Sequence, residues 1–188
     1  MEAQEALPIS VEDYFHLEET GQMRHEYCRG EIFAMTGGSV NHNRLAGNIY
    51  GFFFNSLPDR CQAFFADVRL SVAQFDLYTY PDLMVVCGDI QYHRNRQDTL
   101  ENPLLIVEVL SQSTGDYDRG KKFEFYRSLP SLKEYVLVDQ SQYLLEQYVR
   151  TEAMDWLFRE HRDPKQNLSW LSLELEMPIS SIYDRVAF

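Results

Sequence analysis

The sequence predicts an α/β fold: a single domain over residues 1–188, with a central mixed sheet flanked by helices. Two continuous apolar runs carry this reading, 81–87 in "YPDLMVVCGD" and 103–110 in "ENPLLIVEVLSQST". A strand with one wet face alternates apolar and polar residues, so an unbroken run marks a central strand covered on both faces. Two segments of helical spacing, from about Ser39 to 55 and over 116–129, can supply the covers. The core order is then helix, three strands, helix, strand, with an N-terminal helix and hairpin before it and further strands after it.

Each element has a local cause. Residues 10–20, "SVEDYFHLEET", read as a helix because Ser10 can cap it, Asp13 sits at the third position and acids cluster at its start. "RHEYCRGEIFAM" reads as a hairpin turned at Arg29-Gly30. Leu45, Ile49, Phe52 and Phe53 recur at helical spacing after Ser39, although Gly47 and Gly51 weaken that helix. Phe52, Phe53 and Phe54 cannot share one face of it. Strands follow at 62–70, 81–87 and 103–110, the first loosely alternating, with a polar connection over 88–102 that carries His93, Arg94 and Arg96. The helix 116–129 ends at Pro130. "EYVLVDQ" and "YLLEQYVR" form a hairpin through Gln140-Ser141. A strand at 154–159 and an apolar segment at 168–173 complete the sheet edge. Trp156 and Trp170 fall there, where exposed aromatics would serve a dimer contact.

Composition limits the function. No apolar run approaches the roughly 20 residues that cross a bilayer, so a membrane partner is not expected. "MEAQEALP" lacks the basic start and apolar run of a secretion signal. The three cysteines, Cys28, Cys61 and Cys87, are widely spaced and show neither a disulfide framework nor a zinc pattern. Free, mostly buried thiols and a cytoplasmic location are the expectation. His16, His25, His93 and His161 form no zinc spacing either. With 17 basic against 29 acidic residues the net charge is −12, which disfavours non-specific nucleic-acid binding through a basic surface. It leaves room for an enzyme whose metal ions bridge acid side chains to phosphate.

The chemistry gathers on two carboxylates in the apolar runs. Asp82, Met84 and Val86 share one face of their strand, as do Ile106, Glu108 and Leu110 of theirs. A buried carboxylate is costly unless it is paired or binds a metal. If the strands are antiparallel neighbours or suitably staggered, the two acids converge and can hold a hard divalent cation, magnesium or manganese. Acids also end strands routinely at exposed sheet edges, so spacing alone leaves both readings open.

Pro81-Asp82 followed by Glu108-Val109-Leu110 resembles the active-site pattern of the PD-(D/E)XK nuclease superfamily, whose element order matches the one above. The longer text "YPDLMVV…ENPLLIVEVLSQST…YDRGKKFEFYRSLPSLKEYVLVD", with "HEYCRGEIFAMTGGSVNHNRL" before it, is similar to the Uma-type family of restriction endonucleases common in cyanobacteria. The resemblance covers nearly the whole chain. It implies a restriction-endonuclease-like core and a Mg2+ or Mn2+ ion held by Asp82, Glu108 and the backbone carbonyl of Val109. It also implies DNA as substrate and a homodimer. One departure is plain: two residues after Glu108, where the pattern has lysine, stands Leu110. The resemblance implies that the lysine has migrated to the next helix, at Lys122.

Helix geometry allows this, because Lys122, Phe125, Tyr126 and Leu129 lie on one face while Lys121 points away to solvent. Glu31, after the hairpin turn, is by resemblance a site acid and otherwise an exposed carboxylate. His42, near a helix start, would meet phosphate or metal-bound water, or is an ordinary helix-start histidine. Tyr126 can hydrogen-bond a site carboxylate or simply pack. Ser111, Ser113 and Thr114 read as turn and cap residues. Two functions remain: a metal-dependent endonuclease, and a nuclease fold without turnover that binds or regulates. Leu110 and the −12 charge favour the second.

Overall fold

The computed structural model describes residues 8–35, 37–111 and 114–188. The first helix, α1 (Val11–Thr20), starts where Ser10 exchanges hydrogen bonds with Asp13: Oγ accepts from the Asp13 amide at 3.1 Å and donates to its carboxylate at 2.7 Å. β1 (His25–Cys28) and β2 (Glu31–Ala34) pair antiparallel through Arg29 and Gly30. Both turn residues have positive φ, 51° and 91°, as a two-residue turn that follows the strand twist requires. Only glycine suits the second position, since a Cβ there would lie 2.5 Å from Pro8 Cβ. α2 (Val40–Ser56) is capped by Ser39, whose Oγ accepts from the His42 amide. Phe53 is buried in it, Phe52 is half-buried and Phe54 points to solvent.

The strand expected over 62–70 is two strands. β3 (Cys61–Phe65) and β4 (Arg69–Val72) belong to different sheets, because Ala66 takes a left-handed conformation (φ 58°) and turns the chain between them. β5 (Leu77–Thr79), β6 (Leu83–Cys87), β7 (Thr99–Leu100) and β8 (Leu105–Leu110) follow. α3 occupies 115–126 as three continuous pieces, with a π-helical turn at Asp118–Lys122 between Gly115–Tyr117 and Phe123–Tyr126. Next come β9 (Glu134–Asp139), β10 (Leu145–Arg150) and β11 (Trp156–His161). β12 (Asn167–Trp170), β13 (Leu175–Pro178) and the short α4 (Ile179–Ile182) complete the order.

Instead of one central sheet there are two mixed ones among the described residues. The larger runs β11-β10-β9-β8-β6-β3, with β8 and β9 parallel across the α3 crossover and the other pairs antiparallel. The smaller runs β2-β1-β5-β4-β7. The continuous runs are covered on both faces, as expected. Leu83, Val85, Leu105, Val107 and Val109 pack with Leu45, Ile49 and Phe53 of α2. Met84, Val86, Ile106 and Leu110 pack with Phe125, Tyr126 and Leu129 behind α3 and with Leu70 and Leu77 of the smaller sheet.

Three further expectations are corrected. The C-terminal segment does not finish the sheet edge: among the described residues β12 and β13 pair only with each other, and Leu168, Trp170, Met177 and Ile179 join α2 over the large sheet. Neither tryptophan is an exposed contact. Trp170 is fully buried against Phe53, and Trp156 is half-buried under the Arg150 guanidinium. The cysteines are not all free either. β3 and β6 pair with Cys61 directly opposite Cys87, and the two form a disulfide, leaving Cys28 as the free thiol. A 26-residue separation along the chain says nothing of that register. Among the described residues no helix is long and apolar enough to cross a membrane.

Candidate active site

The antiparallel register of β6 and β8, with Leu83 opposite Val107, brings Asp82 beside Glu108 at one end of the large sheet. There the ladder gives way to side chains. Asp82 Oδ2 accepts from the Val109 amide at 2.7 Å, and the Asp82 amide donates to Glu108 Oε2 at 3.3 Å. The N–H and C=O of one strand residue face the same side, so the Val109 carbonyl also faces the edge where Asp82 lies. The Leu110 carbonyl faces the other way and accepts from Gln140 at 2.9 Å. Leu110 itself is core, 4% exposed.

Glu108, 3% exposed, is satisfied on Oε1 by Lys122 Nζ at 3.0 Å and by the Tyr126 hydroxyl at 2.8 Å. Both donors come from α3. Lys122, the residue read as the displaced lysine, is buried among three acids: beyond Glu108 it lies 3.5 Å from Asp118 and 3.5 Å from Glu26. The π turn, a feature often found at functional sites, spans Asp118 to Lys122 and carries both inward. Lys121 is exposed and pairs with Glu124. His42 reaches in from the start of α2, its Nε2 3.1 Å from Asp82 Oδ2.

Glu31 is not brought to this cluster. It is exposed at the turn end of the hairpin, opposite Cys28, and the acid that reaches Lys122 from the hairpin is Glu26, held also by the Thr79 hydroxyl. Asp118 is the second acid that sequence reasoning missed. It precedes Lys122 by one helical turn, so the face assigned to the lysine already contained it.

One lysine therefore faces three carboxylates, Glu108, Asp118 and Glu26, while Asp82 stands beside Glu108. Burial pushes the Glu108 carboxyl up to about 8, with Lys122 opposing and Asp82 and Asp118 adding to the rise. Burial likewise raises Asp118, again against Lys122. For Lys122 burial works against the charge, but Glu108 and the surrounding anions outweigh it and hold the ammonium well above its usual range. His42 behaves similarly: burial lowers it, and the hydrogen bond and charge of Asp82 raise it beyond that. The cluster floors a cleft of about 700 Å3, also lined by Arg24, Phe33, Met35, Tyr80 and Tyr117.

The donor set suits a hard divalent cation. It offers two adjacent carboxylates and a backbone carbonyl, all oxygen, in a pocket with excess negative charge. Among the described residues no three His, Cys, Asp or Glu side chains form a ready metal cage. Magnesium asks for none, since it keeps several waters and takes one or two carboxylates.

Fold and cleft together define a mixed α/β protein with an acidic, lysine-bearing site at the end of its larger sheet. The family model of Uma2, described as "Putative restriction endonuclease", matches residues 11–180. The chain belongs to the Uma2 family. It is 38% identical over 153 residues to an uncharacterized protein of Synechocystis sp., covering 81% of this chain and 86% of that one. A second uncharacterized Synechocystis protein is 34% identical over 183 residues, 96% of this chain and 94% of the other. The fold matches the crystal structure of "a putative nuclease belonging to DUF820" from Anabaena variabilis. The TM-score is 0.75 at 19% identity, over 96% of this chain and 100% of that one.

Proposed function

We propose that this protein is a metal-dependent endonuclease that hydrolyses phosphodiester bonds in DNA. The observation that carries the reading is the Lys122 ammonium 3.0 Å from Glu108, beside Asp82, although Leu110 holds the usual lysine position. It weighs against the reading of a nuclease fold without turnover, which drew on that leucine. Asp82, Glu108 and the Val109 carbonyl would hold Mg2+ or Mn2+. The bound cation would polarise a phosphoryl oxygen and acidify water. The chain's own groups do the rest. Val109 N–H fixes Asp82 Oδ2, and Tyr126 fixes Glu108 Oε1, so the acids are oriented before substrate arrives. Lys122 Nζ offsets charge that develops on the phosphate. His42, whose imidazole Asp82 shifts toward the charged form, donates a hydrogen bond to a phosphate oxygen.

The family description and the fold likeness support this assignment without naming a substrate. We place the protein in the cytoplasm, where DNA is, and where reductants would act on the Cys61–Cys87 bond. A homodimer has a seat at the outer edge of β11, the last strand of the larger sheet, where Leu157 and Phe158 are 44% and 51% exposed. The test is cleavage of plasmid and single-stranded DNA with Mg2+ or Mn2+. Wild type should cut, and Asp82→Ala and Glu108→Ala should not. Folded, metal-loaded wild type that never cuts, or variants that cut equally well, would overturn the assignment.

A further inference from the structure

We infer that substrate enters this site as an unpaired strand, one of whose bases stacks on Phe33. The inference rests on the phosphodiesterase reading above and adds the form of the substrate. The hairpin register carries it. Phe33 is the cross-strand partner of Glu26, and directly paired residues project from the same face. Glu26 reaches Lys122 at 3.5 Å, so Phe33 projects into the cleft beside the catalytic cluster, with 50% of its surface exposed. The Met35 amide donates to the Arg24 carbonyl, extending the pairing outward. Alternation then puts Arg24 and Met35 on the same face, and both line the cleft. Tyr117, 38% exposed, adds a second aromatic ring, its centroid 6.0 Å from Lys122 Nζ.

Shape and charge select the occupant. A cleft of about 700 Å3 is sized to enclose one small molecule, which suits a single unpaired nucleotide. Glu26, Asp67, Asp82, Glu108 and Asp118 line it against Arg24, Lys122 and His42, and the whole chain carries −12. Duplex binding leans on many neutralised phosphates, and this cleft offers few cations for that. Attraction must come instead from base faces. Any base can stack on an aromatic ring, and a half-exposed phenylalanine at a charged site provides one.

The test is fluorescence anisotropy with labelled ten-nucleotide DNA, in EDTA and in the Asp82→Asn background, which lowers the negative charge and stops turnover. A single strand, the matching duplex and an abasic strand of equal length are compared. The single strand should bind at least about tenfold tighter than the duplex, and Phe33→Ala should weaken it on the order of tenfold. Phe33→Trp should restore affinity, with indole fluorescence quenched on binding. Phe33→Ala should not alter abasic-strand binding. With the Asp82 carboxylate that supports the His42 charge removed in this background, two phosphate contacts, from Arg24 and Lys122, give a salt slope of about −1.4. Duplex binding as tight as single-strand binding, equal loss for the abasic strand, or no strand binding at all overturns the inference. A wild type that stacks bases but never cuts sinks only the hydrolytic reading. One that cuts duplex at a rate indifferent to Phe33→Ala sinks only this one.

Discussion

Lys122→Met removes an ammonium and keeps an apolar stem, which isolates the charge. In the folded protein Nζ lies 3.0 Å from Glu108 and 3.5 Å from both Asp118 and Glu26, with Lys122 8% exposed. Removing one member of a buried ionic cluster leaves its partners uncompensated, which costs roughly 3–5 kcal/mol, or about 6–20 °C in melting temperature at this chain length. Glu108 limits the loss at low pH. Its carboxyl is already raised to about 8, and without the ammonium it rises further, so it holds its proton to higher pH and stays neutral there. The sign for the lysine is clear. Its folded-state pKa is raised, so its contribution is complete below the unfolded value and is lost only as pH climbs through the folded one. Between pH 6 and 9 wild-type Lys122 therefore contributes fully, and the deficit of the variant should widen as Glu108 deprotonates. Thermal unfolding followed by circular dichroism at both pH values measures it. Lys121→Met is the control: its exposed pair with Glu124 contributes little, and the melting temperature should stay near wild type. Equal, small effects of the two substitutions would refute the idea that Lys122 neutralises the acidic cluster.

Glu108→Gln should change the shape of the stability curve. The folded protein keeps the Glu108 proton up to about 8 while the unfolded chain releases it near 4.5, so wild type loses stability as pH rises between those values. The variant lacks that loss and should gain on wild type across the same window; parallel denaturant curves from pH 4 to 9 would contradict this. Glu26→Gln should lower the rate of DNA cleavage, because Glu26 touches Lys122, while Glu31→Gln at the exposed hairpin end should not. The reverse ranking would return Glu31 to the site. Thiol titration of the denatured, unreduced protein should find one reactive thiol, Cys28, and three after reduction; three in both conditions would mean that Cys61 and Cys87 are not bonded.

Much of the site could be read from local pattern. The unbroken apolar runs marked β6 and β8 as central, and a period of two put Asp82 and Glu108 on one face of each. The structure supplies the antiparallel pairing that brings them together. Lys122 came from the family resemblance; helix periodicity only allowed it a place facing the sheet, and that periodicity survives the π turn because the turn ends at that residue. What escaped depends on contacts between distant segments. Glu26 looked like any alternating hairpin residue until the smaller sheet docked β1 against α3. The split at Ala66 hinges on one left-handed residue, for which alanine carries no signal, unlike the glycine at position 30. Without that split, β4 and β5 stay hidden, and the β1–β2 hairpin shows no sheet to join. The Cys61–Cys87 bond and the β12–β13 pair likewise follow from register and packing that short-range periodicity does not encode.

The claim that the acidic end of the larger sheet is a divalent-cation site for hydrolysis is tested most directly by calorimetric titration of Mn2+ into wild type, Asp82→Asn, Glu108→Gln and Glu31→Gln. Binding should be saturable in wild type, should strengthen from pH 6 to 8 as the cation displaces the Glu108 proton, and should vanish in the first two variants while persisting in the third. Manganese binding that ignores both Asp82 and Glu108, or no binding at all by folded wild type, would contradict the account.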